Sequence, residues 1–511
     1  MRKTWLSLLA AAPVWISASA LALPNAADNP GCEKASPQQC LHRALDAMGG
    51  AERLRQIKTM RLELIGHTIL TEQSYRQAPF LTAYERDRVM LELVKQRVMT
   101  EAHLTWPESD PNQSEISETT VASPDGGVTR TKNGDSPCRI SRIDSAREML
   151  ALWPERLLLT ASEATDLHFE ASEFLRSTQH VVLGFTWQRT PVRLLLNPFN
   201  HLPDAIETTQ EFRDFWHFWG DVQQRIYFDN WKLVQGILYP TNLVTERNDI
   251  LWNSVQALNV EFNVPIDETT FAMDATVARQ SAASPGWNRT FHEGADTKLA
   301  QGIDLFEGAW NTTLIKQSDG IVILEAPISE QYLQGVVEEA RKRYPGLPVK
   351  AVLSTSDSWP HVGGVRFAVA ERLPIYILDL NRPLLDNMVT APHSLNPDEL
   401  AKSKAPIRPL WKIVSGKLEI GSGENRIELY PLRGASTERQ YLVYFPRSRL
   451  LYASDTLVLS DDGRLYNPEL TFEVLQAVQS ANLKVDTVFA MHQGPVPWNR
   501  VVALIEHEQQ F

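Results

Sequence analysis

His361, Asp455 and His492 each follow or terminate a hydrophobic strand, in "AVLSTSDSWPH", "LLYASD" and "VFAMH". Two imidazoles and one carboxylate suit a borderline divalent ion such as zinc or ferrous iron, with positions left over for water. An ion held this way lowers the pKa of water and polarises a carbonyl, which is sufficient for hydrolysis. Nothing in their spacing brings the three together, so the surrounding elements must. Asp357, four residues before His361, can turn in as a substitute ligand or as the base. Ser356 and Ser358 flank it and can hold a water or a carboxylate by hydrogen bonds. The same loop has a purely structural use, because Ser, Thr and Asp side chains cap free backbone amides ahead of a helix. His361 likewise has an alternative role as a hydrogen-bonded histidine behind Gly363, and Asp455 orders its own loop in either case. Trp359 and Trp498 either wall a pocket or plug a seam between domains.

Other chemistries find no support. No Gly-x-Ser-x-Gly elbow lies between a strand and a helix, which excludes the usual serine-hydrolase arrangement. "IGSGENR" at 420–426 lacks the lysine of a phosphate-binding loop, no dinucleotide fingerprint is present, and "HEGAD" at 292–296 lacks a second histidine. Fifty basic against sixty-two acidic residues give a net charge of −12 with no basic run, so nucleic acid is excluded as a partner.

The 511 residues exceed one ordinary core, and two domains are expected. Arg2 and Lys3 precede the apolar "TWLSLLAAAPVWISASALA", the layout of a secretory signal peptide over residues 1–22, cut after Ala20 or Ala22. Export to a bacterial periplasm is the expectation. No later apolar run is long enough to cross a bilayer, so an integral membrane protein is not expected. Cys32 and Cys40 can close a small disulfide loop, leaving Cys138 alone.

From about residue 59 the chain alternates: "TMRLELIGHTI" places Met60, Leu62 and Leu64 on one face, and similar phrases recur through Tyr227, Trp231 and Tyr239. One helix, about 144–157, interrupts them. These strands predict a curved, half-barrel-like antiparallel sheet over 35–285. The turn-rich stretch 282–300 marks a boundary. Beyond it, over 297–511, strand and helix alternate, which predicts facing sheets with helices outside. The fold class is therefore α+β.

The order of elements and loops over roughly 300–511 resembles the metallo-beta-lactamase superfamily, an αββα sandwich that binds one or two metal ions at one edge. Its Thr-His-x-His-x-Asp-His-x-Gly-Gly signature aligns on Gly363 and Gly364, which puts its threonine at Thr355 and its last histidine at His361. The first two histidine positions are Ser356 and Ser358, and the aspartate position is Pro360. The turn "LRGASTE" carries no histidine either, Ser436 being the nearest match. "LLYASD" resembles the strand that delivers the bridging aspartate, here Asp455, and "VFAMHQG" the strand end with the last histidine, here His492. The resemblance implies convergence of His361, Asp455 and His492 on a single ion, with zinc first and iron or manganese as alternatives, or no ion in a degenerate site. It implies a supporting role for Glu325 at the end of "IVILE". An ester, lactone or amide is the implied substrate, and the alternative is a periplasmic binding protein that has lost the chemistry. Before residue 285, "ALDAMGGAERLRQIKTMRLE", "GFTWQRTPVRLLLNP" and "FDNWKLVQGILYPTNL" resemble exported lipoprotein-carrier-like domains, which implies a small-molecule or envelope-derived ligand.

Overall fold

The computed structural model describes residues 29–71, 81–106, 115–132, 134–291, 294–460 and 462–508. The signal-peptide reading and the start of "HEGAD" lie outside them. Thirteen strands form one antiparallel sheet in the first half of the chain. The strand Thr59–Ile69 sits inside it, paired with Thr82–Glu92 on one side and Ile250–Phe262 on the other. From there the chain meanders to one edge at Gly134–Pro137, then resumes at the opposite edge, His168–Leu175, and meanders back. Alternation does its expected work: Met60 and Leu62 are 0% exposed and join one core with Val98, Phe185, Val192 and Tyr239 from distant strands.

The link between the two edges is two helices, Ile140–Leu152 and Pro154–Glu163, where the sequence predicts one. Pro154 explains the break. It lacks an amide hydrogen and holds Trp153 extended, at φ −71° and ψ 159°. Both helices pack into the same core, contributing Leu150, Leu157, Leu158 and Ala161. At roughly 1.5–3 kcal/mol per large apolar side chain, this burial holds the sheet around them. Cys32 and Cys40 form a disulfide at the start of this half, and Cys138 is buried and free.

One buried group is set against this core. Glu155 is fully buried, both its carboxylate oxygens lack hydrogen-bond partners, and burial raises its pKa from 4.5 to about 7. The unfolded chain therefore ionises first. Stability is full below pH 4.5 and falls as pH rises to about 7, by about 3 kcal/mol. Glu155→Gln is expected to flatten that slope in denaturant titrations between pH 4.5 and 8.

The second half holds two further sheets. Seven strands run from Asp296–Ala300 to Leu410–Val414, parallel from Gly320–Leu324 onward, and six run from Leu418–Ile420 to Gln493–Pro497. Gly320–Leu324 is buried at every position, as a strand covered on both faces must be. Leu324, Leu353, Val443 and Phe489 fill the space between the sheets. Outside the first sheet lie the helices Glu330–Arg343, Val365–Ala370 and Arg382–Thr390; outside the second lie Pro468–Ser480 and Trp498–Glu508. Glu330–Arg343 shows why such a segment folds locally. Ser329 caps its first turn by accepting from the Tyr332 amide, and Arg341, Lys342 and Arg343 face the negative end of the helix dipole. Helix, sheet, sheet, helix is the expected layering, and the α+β class holds. Among the described residues no helix is long and apolar enough to cross a membrane.

A segment between Pro203–Gln210 and Val222–Val234 leaves the first sheet and packs on the sandwich. It is "EFRDFWHFWGD", residues 211–221. Trp216, Phe218 and Trp219 surround Trp359, with ring centroids at 4.5, 5.5 and 5.5 Å. The His217 Nε2–H donates to the Ile328 carbonyl at 2.8 Å, and Asp221 accepts from the amides of Ser394 and Leu395.

Candidate metal centre

His361 lies on a single helical turn, Trp359–Val362, which follows the buried strand Val349–Leu353. Asp455 follows Leu450–Tyr452, and His492 joins Thr487–Ala490 to Gln493–Pro497. The three strand ends meet at one rim of the sandwich. One nitrogen from each imidazole and one Asp455 carboxylate oxygen lie within 4.8 Å of one another. Asp455 Oδ2 is 3.4 Å from His361 Nε2, and Oδ1 is 3.2 Å from His492 Nε2. Neighbouring ligand atoms around a tetrahedral zinc at about 2.0–2.2 Å stand roughly 3.3 Å apart, so both contacts have the required spacing.

Each side chain has its own support. The His492 Nδ1–H donates to the Ala309 carbonyl at 2.6 Å, which leaves Nε2 as the lone-pair nitrogen facing the cluster. Asn311 anchors that loop to the strand end, through its side chain to the Ala490 carbonyl and its amide to the Met491 carbonyl, both at 2.8 Å. Trp310 packs edge-on to His492 at 5.5 Å. The Asp455 amide donates to Gln440 Oε1 at 3.0 Å. Burial opposes the ionised form of Asp455, but the two imidazoles prevail and hold its carboxyl well below the usual range.

His361 differs from its partners. Its side chain is 1% exposed, and neither ring nitrogen makes a hydrogen bond among the described residues. Buried imidazoles nearly always have a partner, and a metal ion is the partner that the facing carboxylate and second imidazole fit. Behind it, Glu325 Oε2 is 3.9 Å from Nδ1. Glu325 accepts from Thr355 Oγ1 and from the Tyr452 hydroxyl, and burial pushes its carboxyl up, partly offset by His361. Glu325 is thus a neighbour of the cluster and not one of its three members.

The other sequence candidates lie elsewhere. Asp357 does not join the cluster: its Oδ2 accepts from Arg439 Nε at 2.5 Å, in an ion pair whose side chains are 0% and 8% exposed. The spacer position turns it away from the rim and toward the strand Tyr441–Phe445. Ser356 Oγ accepts from the Ser358 amide at 3.1 Å, the capping role. The Ser436 amide donates to Glu473 at 2.9 Å, which ties the turn to the helix Pro468–Ser480. Trp359 is the plug in the aromatic contact with residues 216–219, and Trp498 opens the outer helix Trp498–Glu508 and lies on its buried face with Val501 and Ile505. The indole against the cluster is Trp310, which sequence reasoning missed along with Asn311, Gln440 and Arg439. A usable signal was Arg439–Gln440, two polar residues opening a wholly buried strand.

The paired glycines after His361 have a steric reason. A Cβ on Gly363 would stand 2.4 Å from the Ile328 carbonyl oxygen, and one on Gly364 would stand 2.7 Å from Leu333 Cβ. The Ile328 amide in turn donates to the Pro360 carbonyl at 2.7 Å, one residue before His361. Gly363→Ala is expected to cost about 1–3 kcal/mol in a urea titration.

These layers define the class: an αββα sandwich whose rim carries a two-histidine, one-aspartate cluster able to hold a metal ion. No family model matches the chain, and no curated protein matches it. Among solved structures it is similar to a metallo-beta-lactamase from Pontibacter korlensis, at 15% identity over 42% of this chain and 99% of that one, with a TM-score of 0.34. The DIM-1 metallo-beta-lactamase matches at 15% identity over 42% and 95%, with a TM-score of 0.33. The inverting sec-alkylsulfatase Pisa1 from Pseudomonas sp. matches at 12% identity and a TM-score of 0.31, over 42% of this chain and only 40% of the sulfatase.

Proposed function

We propose that the chain is a hydrolase of metallo-beta-lactamase type that works with one divalent metal ion, zinc in the first instance, on an ester, lactone or amide. The observation that carries this reading is the buried His361 imidazole, bare of hydrogen bonds and aimed at Asp455 and His492. An ion bound there supplies a Lewis acid that activates water and polarises an acyl oxygen. His361 and His492 hold it through neutral nitrogens, and Asp455 adds the negative charge. His492 is the most exposed of the three, its side chain 30% exposed, and substrate enters on its side. With Asp357 engaged by Arg439 and Asp455 facing both imidazoles, neither carboxylate is free to serve as the base, and that role falls to the activated water. One ion, not two, follows from the donors: Ser356, Ser358 and Ser436 stand at the three histidine positions that a second ion would need, and Pro360 takes one carboxylate from the site that is kept.

The same reading divides the chain into a β-rich part, 35–285, and the sandwich, 297–511, with residues 1–22 removed on export to the periplasm. The Cys32–Cys40 disulfide suits that oxidising compartment. A binding protein without catalysis is the competing reading, favoured by the serines at the two histidine positions. Metal analysis of protein purified without chelator separates the two: about one ion per chain, with turnover of a panel of aryl esters and lactones, is expected. Protein that stays empty when offered zinc, manganese or iron overturns the proposal.

A further inference from the structure

Apart from the rim, the first sheet curves round an open-sided cavity of about 220 Å³. Seven neighbouring strands line it and the helix Ile140–Leu152 covers part of it. At about 30 Å³ per water the volume equals roughly seven waters, room for a small molecule. Its charges are unequal in their partners. Arg247 faces the cavity but is paired with Asp214 at 2.8 Å and donates to Gln224 at 2.9 Å, with its guanidinium 3.6 Å from the Phe212 ring centre. Arg142 also faces it and pairs with Glu118 at 3.5 Å. Glu85, Asp87 and Glu148 line the same space, and none forms an ion pair with a cation among the described residues. Glu85 accepts from the Thr68 hydroxyl, and Glu148 from the side-chain amides of Gln210 and Gln224. Asp87 Oδ1 is buried with no hydrogen bond, and burial together with Glu85 raises this carboxyl to about 7. Trp153, Tyr239 and Trp252 supply aromatic walls.

We propose that this cavity binds a small apolar ammonium compound, its cationic nitrogen on Asp87 with Glu85 and Glu148 nearby, and its apolar body against Trp153, Tyr239 and Trp252. Carboxylates lacking a cation and aromatic faces are together the donors that recognise an organic ammonium. A neutral alcohol can donate a hydrogen bond to these acids but gains no charge attraction, and an anion is repelled by them.

The test is calorimetric titration of the full chain with phenethylammonium, 2-phenylethanol, 3-phenylpropionate and laurate. The ammonium is expected to bind at least tenfold more tightly than the alcohol, and Asp87→Asn to abolish that preference. Glu85→Gln serves as the second variant and is expected to weaken the ammonium alone, so a folding defect in the first does not decide the matter. Equal or tighter binding of the alcohol, the propionate or laurate overturns the proposal, as does an absence of saturable ammonium binding. So does a preference that survives in whichever of the two variants folds.

Discussion

His361→Ala is expected to lower metal affinity at least about 100-fold, beyond the 10- to 100-fold lost when a mere supporting residue is removed. The reason lies in the bareness of this imidazole. It makes no close hydrogen bond and faces only the Asp455 carboxylate, at 3.4 Å, a fellow ligand, so little competes with ligation and its removal forfeits most of the gain. Stability shows the same effect. A ligand at 100 times its dissociation constant stabilises the native state by about 2.7 kcal/mol. Zinc is therefore expected to raise the melting temperature of the parent protein and to leave the variant unmoved. His361→Leu separates ligation from packing, because it refills most of the buried volume without restoring a donor. A variant of either kind that keeps a full complement of ion would remove His361 from the site.

The second large effect is expected at Arg439, 82 residues from its partner Asp357 and absent from any motif. Arg439→Met leaves the Asp357 carboxylate, 0% exposed, without its guanidinium, and removing one partner of a buried ion pair costs about 3–5 kcal/mol. That is a large fraction of a typical 5–15 kcal/mol for a whole domain. The double variant Asp357→Asn/Arg439→Met is expected to recover most of the loss in a urea titration. If the single variant unfolds at the same denaturant concentration as the parent, the pair is not a structural strut of the metal loop. Arg439 Nη2 also donates to the Leu380 carbonyl, so the strut joins the loop to a neighbouring connection.

Legibility in the sequence followed the range of the interactions. Strands such as Gly320–Leu324 and Tyr441–Phe445 were readable because burial on both faces leaves a continuous apolar run. Asp455 and His492 were readable because each follows such a strand within a few residues, and His361 because it precedes the paired glycines in the loop after Leu353. The break at Pro154 was available locally and overlooked. Asp357 misled because its position in the loop, not its direction, was visible. Its partner Arg439 lies 82 residues away, and no local pattern announces a pairing over that distance. The helper residues Asn311 and Gln440 act through single hydrogen bonds to strand ends and leave no periodic trace. Residues 211–221 carried a signal of a different kind: five aromatic side chains in a connection between two strands, far more than a solvated turn would hold.

That aromatic connection makes the two halves poor candidates for exchange with other proteins. Cutting the chain near residue 284 would strip three indoles and a phenylalanine of their cover on one fragment or the other, since Trp216, Phe218 and Trp219 belong to one and Trp359 to the other. Fragments prepared separately would expose sticky surfaces and precipitate, whereas mixing them during refolding would return both to solution. Insertions and deletions in this lineage would then be tolerated at loop tips and scarcely at all within 211–221.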